Sequence, residues 1–179
     1  MFATEEAITA RSSNEFTFVI LMAYSPSYYT KRLSVKIADY YSRSAPGGVG
    51  FAKCAGNYAG SFYPTEQAKL EGYDQVIWTD SISHKFIEEA GTMNVFVRIG
   101  DTLLTAPTSE RILDGVTRDS IIQLAKDNGY DIEVRPVSVE EMYEAYQKGE
   151  LKEVFGVGTA VVVNVYDCLL YTSDAADDS

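Results

Sequence analysis

The sequence predicts one α/β domain in which short strands form a mixed sheet flanked by helices. Three observations predict it. Short β-rich runs recur between turn residues along the chain, two later segments carry helix start and stop signals, and strands do not alternate one for one with helices as in a doubly wound sheet. With 179 residues and 46% hydrophobic content, the chain can bury one sizeable core.

Residues 16–22, Phe-Thr-Phe-Val-Ile-Leu-Met, form an apolar run without alternation, the pattern of a strand covered on both faces. Residues 33–37 predict a second strand, and Ser44-Ala45-Pro46-Gly47-Gly48 is turn chemistry. Residues 56–68 read as loop giving way to helix, with Pro64 tolerable only near the helix start. Residues 75–79, 86–89, 94–99 and 102–105 are short strands, the last two joined by Gly100-Asp101 as in a meander. Thr117 or Asp114 can cap a helix over residues 118–128, with Ile121, Ile122, Leu124 and Ala125 on its apolar side and Gly129 as its stop. Ser138-Val139-Glu140-Glu141 has capping-box spacing; Met142, Ala145 and Tyr146 give the next helix an apolar stripe, and Gly149 ends it. Residues 152–157 and 160–165 are β-rich runs around Gly158-Thr159.

Composition excludes several functions. The formal charge of −11 opposes nucleic acid and anionic membranes as partners. No apolar run approaches the ~20 residues of a membrane helix. A single histidine, His84, in the polar turn Ser81-Ile82-Ser83-His84-Lys85, gives no zinc spacing and is expected to be solvated, so no metal site is predicted. Cys54 and Cys168 are the two cysteines, and a reducing, cytoplasmic setting fits.

The chemistry concentrates in Gly47-Gly48-Val49-Gly50-Phe51-Ala52-Lys53-Cys54-Ala55-Gly56-Asn57-Tyr58. Small residues let a flat cofactor approach the backbone, and lysine condenses with carbonyl cofactors. Alone, such a lysine is weak evidence, and a solvated loop residue is its usual explanation. Three further segments accompany it: Ile87-Glu88-Glu89-Ala90-Gly91-Thr92-Met93-Asn94, Ile112-Leu113-Asp114-Gly115-Val116-Thr117-Arg118-Asp119-Ser120, and Glu153-Val154-Phe155-Gly156-Val157-Gly158-Thr159-Ala160. In this order and spacing the four resemble the branched-chain amino acid aminotransferases, pyridoxal 5'-phosphate (PLP) enzymes of fold type IV.

The resemblance implies a fold type IV large domain, a pseudo-barrel of short strands flanked by helices, and a role for each matching residue. Lys53 would carry PLP and then act as acid and base, which needs desolvation and a nearby positive charge to work at neutral pH. Glu89 would face the ring nitrogen, Tyr58 the ring oxygen, and Leu113 the ring itself. The backbone of Gly115, Val116 and Thr117, at a helix N-terminus, would cradle the phosphate together with Thr159. Thr92, Thr159 and Ala160 would take the substrate. Glu88 stands where relatives often carry a hydroxyl residue and reads as non-catalytic. Asp114 stands where relatives commonly have proline, so it must point away from the phosphate. Cys54 reads as a small buried hydrophobe, and Ala160-Val161-Val162-Val163 replaces the redox cysteines of some mammalian relatives. The loop Tyr24-Ser25-Pro26-Ser27-Tyr28-Tyr29 matches the family without a catalytic role.

The implied reaction moves the amino group of L-leucine, L-isoleucine or L-valine through PLP to 2-oxoglutarate, giving branched 2-oxo acids and L-glutamate. D-amino acid aminotransferase and aminodeoxychorismate lyase share the lysine, glutamate and cradle and stay open as alternatives, as does a non-catalytic fragment. From Cys168 the sequence resembles a translated sequencing-library adapter, so residues 168–179 are set apart as a tail. Three carboxylates, Asp174, Asp177 and Asp178, lie in that tail, and without them the charge is still −8. The resemblance thus divides the chain into an interdomain remnant, residues 1–15, and a large domain, residues 16–167, with the family's N-terminal small domain absent and a homodimer implied for the full-length protein.

Overall fold

The structure, a computed structural model, describes residues 1–24 and 31–171. The family-like loop over residues 24–29 therefore lies outside the described residues from Ser25 onward. Strands β1 (Phe2–Ala3) and β2 (Phe16–Thr17) pair with one another and, among the described residues, with no other strand. Among the described residues, eight strands build one sheet in the order β5-β4-β3-β10-β9-β6-β7-β8, from β3 (Leu33–Ile37), β4 (Gln75–Thr79), β5 (Ile87–Ala90), β6 (Met93–Ile99), β7 (Thr102–Thr105), β8 (Asp131–Val134), β9 (Leu151–Gly158) and β10 (Val162–Tyr171). An additional pairing of β5 with β6 closes six of these strands into a ring, leaving β7 and β8 as an outward extension. The start of β6 pairs with β5 through Glu89↔Asn94 and Ala90↔Met93, and its end pairs with β7, so one strand serves both ring and extension. The expected barrel-like mixed sheet is found.

Parallel and antiparallel pairs follow from the connections. Helix α1 (Gly56–Leu70) links parallel strands β3 and β4, and α2 (Val116–Asp127) links parallel strands β7 and β8. Hairpins join β5 to β6, β6 to β7 and β9 to β10.

The register sorts side chains onto two faces. Ile77, Ala90, Met93 and Val95 face an interior core with Leu33, Val35 and Tyr166, and helix α3 (Val139–Gln147) adds Val139 and Met142 to it. The opposite face carries Val76 and Trp78 under Ala68 of α1, and Phe96, Phe155 and Val157 under Ile122 of α2. Phe96 and Phe155 stack there at 5.4 Å. Trp78 is opposite Glu89, Glu89 is opposite Asn94, and Asn94 is opposite Val157, so these four share the helix-covered face.

Several expectations give way. Residues 16–22 form no buried strand: only Phe16–Thr17 is extended in a ladder, and Phe18, Ile20, Leu21 and Met22 are exposed. A run apolar on both faces is a strand only when both faces are covered, and among the described residues no element covers this one. Pro64 lies well inside α1 rather than near its start, where it packs buried with Ala68. Helix α2 is capped by neither Thr117 nor Asp114; Gly115 is its N-cap, without a side-chain bond. Leu124 and Tyr146 are exposed, because the buried stripes are Arg118-Ile122-Ala125 and Val139-Met142-Ala145. Ser138 caps α3 through the Glu141 amide, and Gly129 and Gly149 adopt the positive φ of helix stops. Strand β8 has no clear signal in the sequence. The parallel ladder of β10 with β3 runs on to Tyr171. Ladders are made by backbone groups and need no particular side chains.

Candidate active site

The cofactor-like residues come from four connections around the face that Glu89 and Asn94 share. Residues 38–55 link β3 to α1 and carry Lys53; the β5–β6 turn carries Thr92; residues 106–115 link β7 to α2 and carry Leu113; the β9–β10 turn carries Thr159 and Ala160. A cavity of about 330 Å³ lies among them. Lys53 and Thr92 line it, as do Leu113, Val116 and Thr117 on a second side and Thr159 and Ala160 on a third.

Lys53 is exposed in the isolated chain, so the desolvation expected of it is not supplied by this chain's own side chains. Its Nζ donates to Tyr58 Oη at 3.4 Å, one turn into α1. Asn57 fixes the loop that presents the lysine, donating to the carbonyls of Val49 and Ala52 at 2.7 Å each. Cys54 is exposed, not buried, because it sits in this loop and not beneath it.

Glu89 lies under the cavity, 2% exposed. Its Oε1 accepts from the Leu113 amide at 3.0 Å and from Asn94 Nδ2 at 3.1 Å. Arg43 Nε stands 2.6 Å from its Oε2. Burial pushes the Glu89 carboxyl up to about 7 against the pull of Arg43 and the Leu113 amide.

Glu88 is also buried, 4% exposed, with Arg111 Nε 2.6 Å from its Oε1. Burial raises its carboxyl as well, with Arg111 opposing. Neighbouring residues on a strand ordinarily point to opposite faces. Here the register slips between Trp78↔Glu89 and Thr79↔Ile87, which leaves Glu88 unpaired in a bulge and turns both carboxylates toward the arginines.

The cradle at α2 is shaped by Gly115. With no side chain capping the helix, the first-turn amides of Val116 and Thr117 are open to the cavity. A Cβ on Gly115 would come 2.0 Å from Asn94 Oδ1, so only glycine lets the helix start approach this closely. Asp114 is exposed at the cavity edge rather than turned wholly away from it. Arg118, buried in the first turn, donates to the Ala106 carbonyl and places a cation behind the amides. His84 is only partly exposed, its Nδ1 bonded with Thr79 Oγ1 at 2.8 Å, because Asp80 gathers the turn around it by accepting from Ser83, Lys85 and Phe86 amides.

The Lys53 amine and open helix amides line one cavity, while the Tyr58 phenol and the buried Glu89 carboxylate do not line it and reach it through Lys53 and through Leu113 and Asn94; the glycine-dependent cradle suits a phosphate. Arg43 and Asn94 belong to this arrangement, yet the sequence did not single them out. An arginine ahead of a glycine-rich loop looks like any surface cation, and only contact with Glu89 marks it. Among the described residues no cluster of His, Cys, Asp or Glu could hold a metal ion, and no helix is long and apolar enough to cross a membrane.

The sequence pattern of the family described as amino-transferase class IV matches residues 2–165, and the closed ring with helix-linked parallel strands is the fold of its fold type IV members. The chain belongs to the class IV aminotransferases. Within that family it is similar to a probable branched-chain-amino-acid aminotransferase of Staphylococcus epidermidis, 46% identical over 175 residues that cover 96% of this chain and 49% of that protein. It is 43% identical to branched-chain-amino-acid transaminase 1 of Bacillus subtilis over 167 residues, 91% of this chain and 47% of that one. Among solved structures, the branched-chain amino acid aminotransferase from Escherichia coli superposes with a TM-score of 0.67 at 29% identity, covering 77% of this chain and 44% of that chain. A T.th. branched-chain amino acid aminotransferase complexed with N-(5'-phosphopyridoxyl)-L-glutamate gives 0.66 at 27%, covering 77% and 43%. The chain spans about half the length of the curated relatives it matches.

Proposed function

We propose that residues 16–167 are the PLP-holding large domain of an aminotransferase that moves the amino group of L-leucine, L-isoleucine or L-valine to 2-oxoglutarate, yielding branched 2-oxo acids and L-glutamate. One observation carries this reading: Lys53, Leu113, the Val116-Thr117 amides and the Thr159-Ala160 turn face one cavity, with the Glu89 carboxylate buried beneath it. The names of the relatives support the substrate class, and the phosphopyridoxyl compound in the T.th. structure supports the cofactor.

Bound PLP supplies an electron sink for the carbanion that forms at the substrate α-carbon. Lys53 Nζ would hold it covalently, and Tyr58 Oη would donate to its ring oxygen. Glu89 would face its ring nitrogen, with Leu113 against the ring. The Val116 and Thr117 amides and the Thr159 hydroxyl would bind its phosphate. Lys53 Nζ would also take the proton from the substrate α-carbon and later return one, acting as base and then acid. Thr92 and the backbone of Thr159 and Ala160 would receive the substrate carboxylate. Because Lys53 is exposed in this chain, water exclusion over it would fall to the rest of the full-length protein, for which a cytoplasmic homodimer with a further small domain belongs to the same proposal.

The test is borohydride reduction of the purified chain with PLP, followed by peptide mass spectrometry. Pyridoxyl label confined to Lys53 is expected, and L-leucine added before the reductant should protect that lysine while D-alanine should not. Label spread over many lysines, or none, would overturn the reading for this chain.

A further inference from the structure

Arg43 and Arg111 do more than neutralise two buried carboxylates. Arg43 leaves the lysine loop, and its guanidinium reaches three separate elements. Nη2 donates to the Gly50 carbonyl at 3.1 Å, three residues before Lys53. Nη1 donates to the Arg111 carbonyl at 2.8 Å, two residues before Leu113. Nε lies against Glu89 of β5, and the side chain is 6% exposed. The two connections also touch directly: the Phe51 amide donates to the Glu110 carbonyl at 3.1 Å, and a Cβ on Gly50 would come 2.5 Å from the Arg111 carbonyl oxygen. The side chain of Arg111 returns to β5 through Glu88, the residue that the bulge turns to this side. Glu89 completes the loop by accepting from the Leu113 amide.

We propose that Arg43 is a positioning residue that clasps the lysine loop, the approach to the anion cradle and the Glu89 carboxylate into one preformed site, and that the Glu88–Arg111 pair braces the same clasp. The guanidinium suits this work because its planar fork donates in several fixed directions at once, which an ammonium cannot do. The pair also explains why Glu88 is buried although it faces no cavity: it anchors the chain that carries Leu113 and Gly115. Arg43 does not touch the reacting atoms; it acts through Glu89 and through the backbone on either side of Lys53 and Leu113.

This inference rests on reading the cavity as a cofactor site, so its test has one arm that needs no cofactor. In the full chain without PLP, Arg43→Gln is expected to speed amide hydrogen exchange at both Phe51 and Leu113 by about tenfold or more while the β6 amides of Val95 and Val97 keep the wild-type rate. In the second arm, the same variant is expected to lose Lys53-selective pyridoxyl labelling by about tenfold or more, as misplacement of a reacting group by a fraction of a bond length would cause. Arg43→Lys keeps the charge without the fork, should recover only part of either effect, and serves as the probe should Arg43→Gln fail to fold. Glu88→Gln should speed Leu113. Unchanged exchange at Phe51 and Leu113, or equal acceleration across the ring strands, would overturn the clasp. No change at Leu113 in Glu88→Gln would overturn the bracing role. Absence of Lys53 labelling in the wild type would instead count against the cofactor reading, and the exchange arm would still decide the clasp.

Discussion

At Glu89, burial and ion pairing pull in opposite directions, and burial wins: the carboxyl is raised from 4.5 to about 7. A group that holds its proton more tightly when folded contributes stability that is complete below its unfolded value and fades as pH rises through its folded one. Between about pH 4.5 and 7 the wild type should therefore lose on the order of 3 kcal/mol relative to Glu89→Gln, which cannot ionise. Urea unfolding of both proteins at pH 5 and pH 8 measures this, and a wild type that gains on the variant with rising pH would mean that Arg43 prevails. Gly115 is constrained by contact, not by charge. Gly115→Ala drives a methyl into Asn94 Oδ1, and Asn94 in turn holds Glu89 and the Leu113 carbonyl, so a loss of about 1–3 kcal/mol is expected in the same unfolding experiment.

Among the elements, helix α3 shows how a local signal survives folding. Ser138 Oγ accepts from the Glu141 amide at 3.0 Å, and Arg135 pairs with the Glu141 carboxylate at 2.6 Å, so cap and charge hold one end of the helix. Ser138→Ala should cost about 1 kcal/mol of stability, read as a lower thermal midpoint, with the site's hydrogen exchange unaffected. Helix α2 makes the opposite choice at its start. Leaving Gly115 without a side-chain cap sacrifices that stabilisation and keeps the first-turn amides available, which is the arrangement an anion needs. Introducing a cap by Gly115→Ser would meet the same Asn94 contact as alanine, so here the cavity and not helix propensity decides the residue. Strand β5 owes its two adjacent buried carboxylates to a bulge, a device that no two-residue periodicity announces.

For the molecule as a whole, the ring is the stable unit, and residues 1–24 add little to it. Strands β1 and β2 pair only with each other, while Phe18, Ile20, Leu21 and Met22 stay exposed. Removing residues 1–24 should shift the thermal midpoint by less than about 4 °C and reduce self-association seen by light scattering, because the ring keeps its core while an apolar patch is lost. A large fall in midpoint would show that this segment packs on the ring. Most strands were legible because turn residues bracket β-rich runs, and Lys53, Leu113, Thr117 and Thr159 were legible because their motifs recur in a known order. Residues 16–22 misled because burial on both faces was inferred from composition alone, and β8 was missed because it is only four residues long and half of them, Asp131 and Glu133, are poor strand formers. The sequence by itself determined the strand and helix segments and the cofactor-like motifs, since propensity, caps and glycines act over a few residues. Only the tertiary structure decided that Arg43 and Arg111 meet Glu89 and Glu88, that Asn94 needs Gly115, and that Lys53 stays exposed, because those contacts depend on ring closure and a bulge that bring distant residues together.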